Sequence, residues 1–289
     1  MSKNCPSIHQ FEKACIIHET PESVLFQYTK SETLKSLIDN KKIWATEYRY
    51  LNDPTEFRHG AQLFVDRLES FLKTKSGDWR RFMDSFSVEI KNPKFIKLFL
   101  ASFTEEGDLL SQWRGYGDFG QGLSLGLNTS KMRKVSDETL FWRKVIYDDT
   151  EKNKKVDFVF EKFSEAWQSL PASINGGGAD HEQITHLMVT LTQVVMVNAI
   201  SFKDKAWHEE KEWRLIKLLP SNPTTEYNYI PKIRNRQADL IEYIELDLDT
   251  DFLKCAYVGP RSNFINQRNA MKVIAGEKID VRKSSIPWV

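Results

Sequence analysis

Residues 207–219 read WHEEKEWRLIKLL, and their spacing predicts a strand over 212–219 whose apolar end belongs inside a sheet. Extended back to Glu210, the alternation sets Glu210, Glu212 and Arg214 on one face and Lys211, Trp213 and Leu215 on the other. Two carboxylates and a guanidinium directly ahead of Leu215-Ile216 are expensive to bury. Either they face a cleft, or they pair together as a structural ladder; the sequence leaves both open. Facing a cleft, neighbouring acids push one pKa upward, which suits acid/base work or the stabilisation of a cation.

Working outward, period-two runs predict strands at 24–30 (VLFQYTK), 43–51 (IWATEYRYL), 97–104 (KLFLASFT), 122–128, 141–148 (FWRKVIYD), 240–248, 254–259 and 278–282. Helical stripes fall between them. Ser31 opens a helix with Leu34, Leu37 and Ile38 on one face, and Phe57, Ala61, Phe64, Val65 and Leu68 mark a helix over 55–73. Trp79, Phe82, Met83, Phe86 and Ile90 mark another over 79–91. Helices over 154–170, a nearly all-apolar 183–202, and 263–275 follow, with Gly176-Gly177-Gly178 as an exposed loop. Asn52-Asp53-Pro54-Thr55-Glu56 has the order of a capping box, with Asp53 at the N-cap, Pro54 at N1 and Glu56 at N3. The same helix start offers free N–H groups to a phosphate. With no repeat and no composition break, the expectation is one α+β domain over 1–289. It has a split, twisted β-core, flanking helices, and a helical insertion around 151–205.

The 289 residues are 40% hydrophobic and 28% charged, and 41 Lys+Arg against 40 Asp+Glu leave a net charge of +1. A globally basic nucleic-acid binder is excluded, although local patches are not. Aromatics at 12% exceed what a core needs and favour rings lining a pocket for a flat ligand. Cys5, Cys15 and Cys255 cannot complete a disulfide framework. No signal peptide is visible, and Leu187–Ile200 is too short to span a bilayer. A cytoplasmic protein without membrane contact is expected.

Walker, dinucleotide, zincin and nucleophile-elbow motifs are missing. His181 and His186 lie five apart, a poor spacing for joint ligation, so no metal is expected. Other segments carry the chemistry: Gln27-Tyr28-Thr29 on the opening strand, Asn52 to Glu56, Ser102-Phe103-Thr104 with its two hydroxyls on one face, and Trp113 to Tyr116 on one helical turn. A basic, aromatic-flanked loop of Tyr227, Tyr229, Lys232, Arg234 and Arg236 suits nucleic acid, or is an ordinary solvated loop.

Seven motifs in this order resemble a bacterial family of unknown function. They are Tyr28, Asn52 to Glu56, Ser102 to Thr104, Trp113 to Tyr116, Glu210 to Arg214, Gly259-Pro260 and Ser285-Ile286-Pro287, spanning 24–288. Members often look like components of bacterial defence or toxin systems. The layout is similar to that of the ADP-ribosyltransferase superfamily. There a first strand gives a polar pocket residue, a second a Ser-x-Ser/Thr motif, and a later strand the catalytic Glu. This chain departs from the nucleic-acid-modifying branch in carrying Gln27 where a His is usual, which moves the first-strand role toward Tyr28 or Thr29.

The resemblance implies NAD as substrate. Breaking the nicotinamide–ribose bond passes through an oxocarbenium-like species that a carboxylate stabilises. It makes Glu212 the catalytic candidate, with Glu210 and Tyr28 in support. Tyr28, Trp113 or Tyr116 would stack on nicotinamide, Gln27, Thr29, Asn52, Ser102 and Thr104 would organise the pocket, and Arg49 or Arg214 would meet the diphosphate. Tyr229, Lys232, Arg234 and Arg236 would bind a nucleic-acid acceptor, RNA ahead of DNA. The leading expectation is an NAD-dependent ADP-ribosyltransferase acting as a toxin or anti-phage effector, with an antitoxin protein as a further partner. An NAD glycohydrolase and a non-enzymatic nucleic-acid-binding or sensor module are the alternatives.

Overall fold

Strand β3 (Ile96–Thr104) is the hub of a ten-stranded sheet. The structure, a computed structural model, describes residues 6–53, 55–72, 84, 86–87, 89–90, 93–94, 96–132, 137, 139–169, 181–221, 229–236 and 239–288. Cys5, Pro54, Trp79, Phe82, Met83, Leu170, the Gly176–Gly178 loop and Tyr227 lie outside the described residues. Along one edge β3 pairs antiparallel with β6 (Glu212–Pro220) over its full length, and β6 carries β5 (Leu140–Lys144). The register sets Thr104 opposite Glu212 and Ser102 opposite Arg214.

The other edge of β3 is shared. β1 (Val24–Thr29) touches it only at Phe26↔Thr104, whereas β2 (Lys42–Glu47) touches it at Thr46↔Leu100 and Glu47↔Phe99. From β1 one wing continues through β4 (Leu123–Asn128), β9 (Leu253–Val258) and β10 (Asp280–Lys283). From β2 the other runs through β8 (Asp239–Asp247) to β7 (Lys232–Arg236). Among the described residues, no strand pairs with positions 101–103 on this side; instead Gln27 Nε2 donates to the Ser102 carbonyl at 3.4 Å. The sheet is split there, and the split opens a cleft.

Period two assigns each face of β3 to its own core. Leu98 and Leu100, with Ile216 and Leu218 of β6, meet the helical side. That side is built by α1 (Pro6–Cys15), α3 (Thr55–Leu72), α5 (Asp149–Gln168) and α6 (His181–Ala199). Phe99, Ala101 and Phe103 pack on the opposite side with Leu34 and Leu37 of α2 (Ser31–Asn40) and Met271 of α7 (Phe264–Ala275). Each fully buried Leu, Ile or Phe contributes about 1.5–3 kcal/mol, so both faces hold β3 in place. α3 crosses the end of α6 at Gly60, where a Cβ would stand 2.2 Å from the Ala199 carbonyl oxygen.

Several expectations need correction. The extended run 43–51 ends at Glu47, because its carboxylate accepts from the Arg49 amide and starts a 3-10 turn over Tyr48–Tyr50. The 141–148 run stops at Lys144, since Asp148 caps α5, which begins at Asp149 rather than 154. Glu210 is not at the strand entry but ends a 3-10 turn, Lys205–Glu210, capped by Asp204. The basic loop is the edge strand β7, paired to β8 from Lys232↔Tyr243 to Arg236↔Asp239. Helix α1 has no counterpart among the expected elements; Phe86 and Ile90, from the stripe expected over 79–91, are buried in the helical core. No described helix is long and apolar enough to cross a membrane.

Candidate functional site

Where β6 begins, three carboxylates and two cations converge at the mouth of the split. Arg214 donates from Nε to Glu212 Oε1 at 2.8 Å, and from Nη2 to Glu212 Oε2 at 3.0 Å and Glu56 Oε1 at 2.9 Å. Its Nη1 donates to the Ile200 carbonyl at the end of α6. Lys203 Nζ donates to Glu210 Oε2 at 2.5 Å and Glu212 Oε2 at 2.9 Å, and lies 3.7 Å from Glu56. Its position is set by a bridge between Phe202 and Ile146, with the Lys203 amide donating to the Ile146 carbonyl.

Local backbone explains how the acids arrive together. Asp53 accepts from the Thr55 amide at 2.8 Å and so caps α3 alone. Glu56 does not reach back as a capping box requires; it turns inward, since a buried guanidinium is a stronger partner than an exposed amide. Lys211 takes a left-handed conformation at φ 41°, turning the chain from the 3-10 turn into β6. Its own ammonium goes outward to Glu106. Glu210 and Glu212 therefore reach Lys203 from two different elements.

The two acids are driven apart. Burial pushes the Glu210 carboxyl up, and Lys203 offsets only part of that. Burial would raise Glu212 as well, but the Arg214 guanidinium and the Lys203 ammonium outweigh it and hold the carboxyl down to about 2. Glu212 stays ionised, while Glu210 takes up a proton far more readily. Lys203 itself is held charged, its burial outweighed by Glu212, Glu56 and Glu210. Burial also pushes up the Tyr147 phenol, whose oxygen accepts from the Glu212 amide at 3.0 Å.

These groups form one end of a cleft of about 1350 Å³. Gln27, Tyr28, Thr29, Asn52, Ser102, Thr104, Tyr116, Glu210, Glu212 and Arg214 line it, as do Arg234 and Arg236. Tyr116 is 43% exposed, and its phenol is pushed up by burial and by the charge of Glu210. Tyr28 presents its ring, but its hydroxyl is committed to the 105–109 loop: it donates to the Glu106 carbonyl at 2.9 Å and accepts from the Leu109 amide at 2.8 Å. The Thr104 hydroxyl is similarly taken by the Glu106 amide.

Four expected site residues stand elsewhere. Trp113, on the short α4 (Leu110–Gly115), is fully buried behind Tyr28, edge-on with centroids 4.8 Å apart, and its indole N–H goes to Asp108. Arg49 pairs with Glu47 at 2.8 Å, outside the lining. Tyr229 bonds Asp137 and lies over Lys217, and Lys232 pairs with Glu245. Conversely, the inward turn of Glu56 and the roles of Lys203, Trp207 and Tyr147 were not visible in the sequence motifs. Lys203 had one usable signal, the first charge directly after the apolar helix. Trp207 lies under its ammonium at 5.5 Å.

None of the curated proteins and none of the solved structures compared matches the chain. Residues 112–215, which contain Tyr116, Lys203, Glu210, Glu212 and Arg214, match a family described as "Protein of unknown function (DUF2971)". Over 104 of its 289 residues, including the turn and the start of the strand that carry the acidic end of the cleft, the chain is similar to that family.

Proposed function

We propose that the cleft takes NAD as substrate and that the protein is an ADP-ribosyltransferase of toxin or anti-phage type, with nucleic acid, RNA foremost, as acceptor. The observation that supports this reading best is the composition of the acidic end. Glu56, Glu210 and Glu212 against Lys203 and Arg214 leave one negative charge in excess at the mouth of a split sheet. A cationic pyridinium ring is attracted there, and the half-exposed Tyr116 ring offers it a wall.

When the C1′–N bond of the nicotinamide riboside breaks, the electron pair leaves with nicotinamide and positive charge develops on the ribose. Glu212, fixed by Arg214 and Lys203, is ionised before the reaction and needs no reorganisation to stabilise that charge. Glu210 uses one oxygen for Lys203; among the described residues its Oε1 makes no hydrogen bond. With its raised pKa, Glu210 suits the removal of a proton from the acceptor as the new C1′ bond forms.

Incubation with NAD labelled in the ADP-ribose moiety, beside separate pools of RNA, DNA and protein, tests this reading. Label on RNA is the expected result. Free ADP-ribose alone makes the protein a glycohydrolase, and absence of nicotinamide release from any mixture overturns the proposal.

A further inference from the structure

The opposite end of the cleft carries two guanidiniums, those of Arg234 and Arg236, that make no ion pair among the described residues. Arg234 and Arg236 are two apart on β7, so both side chains leave the same face of the edge strand, toward the cleft. Arg234 lies 4.9 Å above the Trp44 ring and 5.5 Å from that of Tyr243, and its Nη2 donates to Thr46 Oγ1 at 3.0 Å. Its Nε is buried without a hydrogen-bond partner. Arg236 donates to Asn52 Oδ1 at 3.0 Å and to the Tyr50 carbonyl at 2.7 Å, both neutral acceptors. Among the described residues neither arginine makes an ion pair. Of the other Lys and Arg residues lining this cleft, Lys42 pairs with Glu245, Lys203 with Glu210 and Arg214 with Glu212, while Arg58 makes no ion pair among the described residues either.

A surface arginine without a carboxylate is ordinary. Two of them turned into a cleft, one flattened on an indole with an orphaned N–H, are not accounted for by stability. Like charges at this spacing repel, and a buried donor left unmade costs about 1–3 kcal/mol. The repulsion is relieved once an anion with several acceptor oxygens arrives at the exposed guanidinium nitrogens. From the two residues we infer that the Arg234–Arg236 pair is a phosphoryl subsite, taking the phosphate of a nucleotide whose base can rest on the exposed part of Trp44.

Two sources present this chemistry, the diphosphate of a dinucleotide and the phosphodiester of a single strand. The placement favours the first. The guanidinium of Arg234 sits over β2, two strand spacings, about 10 Å, from β6, and in the same cleft as the acids. The cleft is thus bipolar, with one negative charge in excess at β6 and two positive charges at β7. A ligand with a cationic ring at one end and a diphosphate further along matches that polarity. This choice of source rests on the function proposed above; the subsite itself rests only on the arginines.

The experiment compares the wild-type chain with R234Q/R236Q and R234K/R236K. ADP is titrated by calorimetry, and a single-stranded RNA dodecamer by anisotropy at several salt concentrations. For a dinucleotide source, the Gln pair weakens ADP at least tenfold, while the Lys pair, which keeps charge but loses the planar fork, falls between. For a nucleic-acid source, ADP is unchanged, whereas RNA affinity drops and its log–log salt slope falls by about 1.4. Unchanged binding of both probes in folded variants overturns the subsite, as does a wild-type chain that binds neither. Should the Gln pair fail to fold, R236Q alone decides, because its contacts are with one loop. Nicotinamide release is measured on the wild-type chain only. Arginine-dependent ADP binding without turnover would therefore sink the proposed activity and leave the subsite standing.

Discussion

Arg214 grips Glu212 in a two-pronged bond two residues along the same strand, Nε to Oε1 at 2.8 Å and Nη2 to Oε2 at 3.0 Å. The carboxylate is therefore both a structural anchor and the proposed charge stabiliser, and Glu212→Gln is expected to damage both roles. Arg214 would keep only Glu56 as counter-charge, so the stability loss is at most the roughly 3–5 kcal/mol of a broken buried pair, while losing the charge at the ribose lowers turnover on the order of 10²–10³. Glu210→Gln separates the roles: it loses a comparable rate without a stability cost, since Glu210 accepts a single bond, from Lys203. Nicotinamide release, assayed well below each variant's own unfolding temperature, checks this. A fully active, folded Glu212→Gln removes the residue from the mechanism.

The same pair sets opposite slopes of stability with pH. Glu212 is depressed from the ordinary 4.5 to about 2, so its contribution is complete above 4.5 and fades as pH falls toward 2. Glu210 is raised, so the folded state binds its proton first, and stability from this group grows as pH falls through its folded value toward 4.5. Denaturant melts at pH 7, 5.5 and 4 should show Glu210→Gln gaining on the wild-type chain at pH 7. The gap should narrow on acidification. A constant difference across the three pH values contradicts the assignment.

Gly60→Ala inserts a methyl 2.2 Å from the Ala199 carbonyl oxygen, backbone against backbone, where α3 and α6 cross. Overpacking of this kind costs about 1–3 kcal/mol. Because α3 also delivers Glu56 to Arg214, the strain reaches the site, and activity should fall further than the unfolding temperature alone explains. A variant as stable as the wild-type chain would show that the two helices can slide apart.

Asp108 holds the segment 284–288 against the wall behind Tyr28. Its carboxylate accepts from Trp113 Nε1, Ser284 Oγ, and the Ser285 amide and hydroxyl, at 2.6–2.9 Å. Asp108→Ala orphans a fully buried indole N–H and releases the strap, costing about 1–3 kcal/mol for the unmet donor. Limited trypsin digestion should then cut faster after Lys283, read by mass spectrometry as loss of the segment from Ser284 onward. Unaltered cleavage would mean that other contacts suffice to hold the strap.

Much of this fold could be read from the side-chain pattern, because α3 repeats its apolar positions at helical spacing and β3 is the near-continuous apolar run that a strand buried on both faces demands. Boundaries were lost where one polar side chain overruled the pattern, as Glu47 does by starting a 3-10 turn and Asp148 by capping α5 early. The Glu210–Arg214 stretch announced itself through charge next to an apolar run. What it could not announce was its partners: Lys203 and Glu56 arrive from distant elements, and a buried ion pair leaves no periodic trace. Trp113 misled because an aromatic near a site and an aromatic behind it look alike until the fold decides which face is open. Arg234 and Arg236 were visible as basic residues, but only the pairing of β7 with β8 turns them into the cleft.

The hub position of β3 also governs how the chain must be made. Its long partner β6 lies more than a hundred residues downstream, and at about 5–20 residues per second a ribosome needs roughly 6–23 s to deliver it. Throughout that interval an apolar strand, Leu98 to Phe103, waits with a naked edge, open to the same strand on a neighbouring nascent chain. Pairing at so large a sequence separation is slow even once synthesis is complete. Yield in a heterologous host should therefore depend on chaperone supply and growth temperature more steeply than equilibrium stability would suggest. Fragments truncated before residue 212 belong among the aggregates.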